Sequence, residues 1–164
     1  MSRRLILIRH AKSSWADTYA NDHARQLNDR GVAAAKAMGQ WLAQQGYVPD
    51  TIVTSDATRT LQTTSLLLRG MGAKPEVQEI AALYHAAPHT IFDVLKPLDS
   101  HTVALVGHNP GIAMAAEMLV QSPPAHDRFD DYPTCATTVL DFTDDAWCQP
   151  GQGQVVDFVV PADV

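Results

Sequence analysis

The chain has 164 residues, 46% apolar and 18% charged, with a formal net charge of −6. This size suits one domain spanning residues 1–164 around a substantial core, and the ordinary apolar content excludes a disordered chain. The acidic balance argues against nucleic acid as the main ligand, although a few clustered arginines can still hold one phosphoryl group inside an acidic protein.

The first apolar run, Leu5 to Ile8, is far too short to cross a bilayer. It ends in Arg9-His10 rather than at a small-residue cleavage site. No membrane partner and a cytoplasmic location are therefore expected, with Cys135 and Cys148 as reduced thiols.

Arg4 to Ile8 reads as a buried strand, and a polar loop follows from Arg9 to about Leu27. Asn28 caps a helix starting near Asp29 and ending at Gly46, with Val32, Ala35, Met38, Trp41 and Leu42 on its apolar face. Thr51 to Thr54 forms a second strand. The next helix is capped by Ser55 or Asp56 and runs to about Arg69, where Gly70 and Gly72 signal a stop.

Glu76 to Ile80 reads as a third strand, Pro88 opens a helix to about Leu95, and Thr102 to Val106 is a fourth strand. Gly107 to Gly111 turns into a helix reaching about Val120. Beyond a proline-rich loop, Ser122 to Pro133, the segments Thr137–Phe142 and Gln154–Val160 alternate like a closing hairpin. Trp41, Leu61, Leu66 and Met114 fall at helical spacing and are assigned to the core. Strands alternating with helices predict an α/β fold, a three-layer α/β/α sandwich with a mostly parallel central sheet.

Ligands of such sheets bind beyond the carboxyl ends of the strands. Three strand ends deliver basic or imidazole groups there: Arg9-His10, Ser55 to Arg59, and Gly107-His108. An imidazole is a nucleophile only when neutral, and neighbouring arginines push His10 toward that form. Its second ring nitrogen needs an acceptor, such as a backbone carbonyl, to fix the ring. Arg59, near a helix amino end, offers a planar fork for two phosphoryl oxygens. His108 sits in a glycine-bounded turn where the backbone can approach a ligand. Arg25 can reach the same edge from the long loop, whereas His23 reads as an ordinary surface residue. Each residue alone has a bland reading as a solvated side chain; their joint placement after successive strands does not.

Four segments carry a family resemblance: Arg9-His10-Ala11-Lys12-Ser13-Ser14-Trp15, Arg25-x-Leu27-Asn28-x-x-Gly31, Ser55 to Thr63, and Gly107-His108-Asn109-Pro110-Gly111. Together they resemble the histidine phosphatase superfamily, whose fold is phosphoglycerate mutase-like, and most nearly its SixA-type phosphohistidine phosphatases. The resemblance runs from Leu5 to about Leu140. It implies that His10 attacks phosphorus in line while Arg9, Arg59 and His108 hold the equatorial oxygens, and that water then releases phosphate. Arg25 and Ser13 are the expected substrate-binding residues. No metal or cofactor is required, because basic side chains supply the charge.

Two departures stand out. Ala11 replaces the family's usual glycine. No carboxylate stands where larger members carry a leaving-group acid: Ala81 to His85 offers none, Glu79 comes earlier and Asp93 later; His85 and His89 are possible proton donors, although a surface role is the preferred reading for both. A phosphorylated imidazole leaves more readily than an alkoxide without an acid, so the missing acid points to phosphohistidine or aryl phosphates, and the SixA-type resemblance implies protein phosphohistidine as the expected substrate. A small phosphorylated metabolite and a non-enzymatic phosphate-binding module are the alternatives. A metal hydrolase fits less well, because arginines repel a cation and no His-x-His or His-Glu-x-x-His spacing occurs. Trp15 either lines the pocket or packs the loop.

Overall fold

The computed structural model describes residues 1–164. Strand β1 spans Ser2–Arg9 and sends alternate side chains to opposite faces of the sheet, as the strand period of two requires. Leu5 and Leu7 enter a core of 24 buried residues, and Ile6 and Ile8 enter a second of 14. Both faces of β1 are therefore covered, which is why Leu5 to Ile8 is apolar without interruption.

The remaining elements follow in chain order: α1 (Asp29–Gln44), β2 (Thr51–Thr54), α2 (Thr58–Met71), β3 (Glu76–Glu79), α3 (Pro88–Leu95), β4 (Thr102–Gly107), α4 (Gly111–Leu119), β5 (Thr137–Thr143) and β6 (Gln154–Val159). The six strands lie in the order β3-β2-β4-β1-β5-β6. Pairings among β3, β2, β4 and β1 are parallel; β5 is antiparallel to both β1 and β6. Helices α1 and α2 cover one face through Met38, Leu42 and Leu67. Helices α3 and α4 cover the other through Ile91, Leu95, Ile112 and Leu119. The expected three-layer α/β sandwich is present. No helix is long and apolar enough to cross a membrane.

Local expectations hold at several ends. Asn28 caps α1, its side chain accepting from the Gly31 amide, and Pro88 opens α3. Others are corrected. Ala57, not Ser55 or Asp56, occupies the N-cap of α2 and makes no side-chain cap bond. Gly70 lies inside α2, and Gly72, in the left-handed conformation, ends it. Met114 is 49% exposed rather than in the core, because α4 buries Ile112, Ala115, Ala116 and Leu119 instead. Val32 is also exposed.

Gly39 and Gly70 explain how closely α1 and α2 pack. A Cβ on Gly39 would stand 2.2 Å from the Leu67 carbonyl oxygen, and one on Gly70 would stand 2.2 Å from that of Lys36. Both obstacles are backbone, so the helices would have to separate. Gly39→Ala is expected to destabilise the fold by about 1–3 kcal/mol net of alanine's better helix propensity. A lower urea midpoint at unchanged slope is the readout; an unshifted midpoint would show that the helix pair yields freely.

Candidate active site

Strand β1 ends by delivering His10 into a backbone cage. The His10 amide donates to the Gly107 carbonyl at 3.0 Å, tying it to the end of β4, and its own carbonyl accepts from the Cys135 amide at 3.0 Å. The residue is only 5% exposed. Nδ1 lies 2.7 Å from the Ala11 carbonyl oxygen. A carbonyl can only accept, so Nδ1 carries the proton and Nε2 keeps its lone pair. The Ala11 amide is held by Thr63 Oγ1 at 3.0 Å, which steadies the same residue from its other side.

Arg59, in the first turn of α2, is the most buried charged side chain, at 1% exposure. Its Nη1 donates to the Asp22 carbonyl at 2.6 Å and its Nη2 to Asp22 Oδ2 at 3.1 Å. Nη2 also lies 3.3 Å from His108 Nδ1. A guanidinium cannot accept, so Nδ1 of His108 is the acceptor and Nε2 holds the proton, which it donates to Ser55 Oγ at 2.7 Å. Ser55 Oγ is 2.9 Å from Thr60 Oγ1, whose hydroxyl donates onward to backbone carbonyls. This chain of bonds occupies Ser55, which explains why it does not act as the helix cap. The His10 and His108 rings lie 5.4 Å apart between centroids.

Arg9 donates from Nη1 to the Tyr132 carbonyl at 3.1 Å. Arg25 reaches in from the long loop, bonding Ser13 Oγ and, at 3.2 Å, Asp22 Oδ1. Its guanidinium lies 3.7 Å above the ring of Trp15, which is itself 76% exposed. Trp15 thus supports Arg25 rather than filling the core. The Nε–H groups of Arg9, Arg25 and Arg59 are all buried and make no hydrogen bond within the protein. Such donors are costly unless an acceptor meets them, and an anion supplies several acceptors at once.

Burial, more than the arginines, sets the proton affinities. It is the largest influence lowering His10 to about 3, opposed by the Ala11 carbonyl and reinforced by Arg9, Arg59 and Arg25. His108 is likewise lowered to about 3, by burial first and then by His10 and Arg59. Burial, followed by Arg59, also lowers Arg9 below the usual arginine value. Both imidazoles are neutral in the fold near pH 7, whereas in the unfolded chain they protonate below about 6.5. Their contribution to stability is thus complete above pH 6.5 and is lost as the pH falls toward 3. The expected loss is roughly 1.4 kcal/mol per pH unit for each fully neutral histidine. Urea midpoints measured between pH 7 and pH 4.5 check it, and a flat profile would contradict the assignment.

The structure also gathers residues that the sequence pattern places elsewhere. Asp22 Oδ2 accepts from the Tyr84 hydroxyl and, at 2.9 Å, from His85 Nε2. His85 stacks on His108 with centroids 5.0 Å apart, so it belongs to the site and is not an ordinary surface residue. His23, also assigned to the surface, bonds Asp56 at 2.9 Å and meets the Tyr84 ring edge-on at 4.9 Å, along the rim. The bonds from His85 and Tyr84, followed by those from Arg59 and Arg25, hold the Asp22 carboxyl well below the usual carboxylate range. No three His, Cys, Asp or Glu side chains are grouped so as to hold a metal ion.

A model of the histidine phosphatase superfamily (branch 1) matches residues 5–84. The crystal structure of a candidate SixA phosphohistidine phosphatase from Agrobacterium tumefaciens is 30% identical and aligns with a TM-score of 0.80 over 97% of this chain and 98% of its own. The chain belongs to the histidine phosphatase superfamily. An uncharacterized protein of Mycobacterium tuberculosis is 33% identical over 162 residues, 94% of this chain and 99% of that one. An uncharacterized chloroplastic protein of Arabidopsis thaliana is 37% identical over 134 residues, 73% of this chain, which spans 60% of that relative's length. The phosphoglycerate mutase-like fold expected from the superfamily resemblance is present: β1, β2 and β4 are adjacent in the sheet and bring Arg9, His10, Arg59 and His108 to one edge.

Proposed function

We propose that this superfamily member is a phosphatase that takes a phosphoryl group onto Nε2 of His10 and passes it to water, with protein phosphohistidine as its substrate. The observation that carries the proposal is the fixed tautomer of His10. With Nδ1–H tied to Ala11, the lone pair on Nε2 is available among three guanidiniums that carry unpaired Nε–H donors.

Attack by Nε2 forms a new P–N bond as the bond to the leaving group breaks, and the electron pair departs with that group. Arg9 and Arg59 bind the equatorial oxygens. His108 donates to a phosphoryl oxygen once the dianion has raised its proton affinity. Water then attacks phosphorus from the vacated side, and Nε2 recovers its lone pair. Arg25, with Ser13, closes the loop side of the pocket. The likeness to the Agrobacterium protein supports phosphohistidine as the substrate, and so does the short connection between β3 and α3, which leaves room for a protein surface.

The test is to mix the protein with a phosphodonor, quench within milliseconds, and map the label. An acid-labile, base-stable phosphate on His10 is expected. Label on another residue, or turnover at full rate without label, would overturn the reading.

A further inference from the structure

The wall of the pocket beside His108 is built from Asp22, Tyr84 and His85, and its carboxylate, although it steadies Arg59, cannot itself grip a phosphoryl group. On the contrary, Asp22 bonds the same Arg59 guanidinium that contacts His108 and would repel a dianion seated there. A carboxylate in that position makes physical sense if it faces the group that leaves.

Three features describe what such a group should be. The Asp22 side chain is 43% exposed, and while Oδ2 is taken by Arg59, Tyr84 and His85, Oδ1 has only Arg25 at 3.2 Å. Oδ1 therefore has a lone pair for a further N–H donor. The neighbouring Tyr84 and His85 rings, 4.3 Å apart between centroids, offer π surface that suits a flat cation. The second carboxylate on this rim, Asp56, adds negative charge, and both neighbouring cations are already engaged: Arg59 by Asp22, and Arg25 by Asp22, Ser13 and Trp15.

We propose that Asp22 is the specificity-determining residue of this site, selecting N-phosphorylated imidazoles by accepting a hydrogen bond from the ring nitrogen opposite phosphorus and rejecting phosphate esters with an anionic leaving group. The inference rests on the phosphatase reading given above. The chemistry balances without an added acid. The phosphoimidazole ring enters protonated on its far nitrogen, and Asp22 stabilises that cationic form. When Nε2 of His10 attacks, the P–N bond breaks, its electron pair stays on the ring, and a neutral imidazole departs with the far N–H intact. An ester carrying a carboxylate, such as 3-phosphoglycerate, meets Asp22 with like charge instead.

The experiment compares kcat/KM for phosphoimidazole and for 3-phosphoglycerate in the wild-type protein and in Asp22→Asn. Asparagine keeps an acceptor for Arg59 and His85 but removes the charge. The wild type is expected to favour phosphoimidazole. In Asp22→Asn the value for phosphoimidazole should fall about tenfold, because a charge-assisted hydrogen bond becomes a neutral one. The value for 3-phosphoglycerate should rise about tenfold, because the like-charge repulsion is gone. Asp22→Ala should move both in the same directions, which guards against a folding defect in either variant. A ratio that changes less than threefold, or two rates that fall together, would overturn the role of Asp22 while leaving phospho-His10 intact. Absence of phospho-His10 from every donor would instead overturn the phosphatase reading beneath it.

Discussion

His10→Ala is expected to lower kcat by at least about 10,000-fold, because removal of a covalent nucleophile leaves only positioning and charge to act on the substrate. The loss should appear in turnover far more than in binding. Arg9 and Arg59 keep their places through Tyr132 and Asp22, so inorganic phosphate should still inhibit or protect the variant. The acid sensitivity of the fold supplies an independent readout. With one of two imidazoles held near pKa 3 removed, the loss of stability below pH 6.5 should become shallower by roughly 1.4 kcal/mol per pH unit. A variant that retains turnover within tenfold, or titrates as the wild type does, would rule out a neutral, nucleophilic His10.

Arg59→Lys tests the other half of the site. An ammonium retains the charge but not the planar fork: one nitrogen cannot stand at both the Nη1 position, which bonds the Asp22 carbonyl, and the Nη2 position, which meets Asp22 Oδ2 and His108 Nδ1. A loss of about 100- to 1,000-fold in kcat is expected, comparable to the removal of one preorganised donor to a developing charge. Inhibition by phosphate should weaken in parallel, since the same fork binds ground state and transition state. A change below fivefold would mean that Arg59 is a structural cation for Asp22 alone.

Much of this arrangement is legible in the sequence because its causes are local. The continuous apolar run of β1 reflects burial on both faces, and Asn28 and Pro88 mark helix starts through their own chemistry. His10, Arg59 and His108 can be found because the sheet rule needs only strand positions. Asp22 and Tyr84 cannot, nor can the place of His85 against His108. The loop from His10 to Leu27 has no periodicity, and the bonds from Asp22 cross 62 and 63 residues to reach Tyr84 and His85. No short-range signal records such a contact. In the sequence His85 is a possible proton donor with nothing to set it above His89 or a surface role, and its left-handed backbone, φ 51°, is not a conformation that its residue type announces. The cap of α2 departs from expectation for a related reason: the hydroxyl of Ser55 serves His108, a partner 53 residues away. Gly70 does not stop α2 because that glycine answers to Lys36 on another helix.

The position of β1 between β4 and β5 has a consequence for the protein during its synthesis. Strand β1 leaves the ribosome well before β4 and β5 and remains without either neighbour until about 100 further residues have emerged, and the carbonyls of Arg9 and His10 wait for Cys135. Nascent chains arrested before residue 102 therefore lack β4 and the His108 that joins His10 and Arg59 at the proposed site, and the apolar run of β1 depends on chaperones or the packed α1 and α2 for shelter. Competence to bind an anion should appear abruptly, late in translation, rather than accumulate helix by helix.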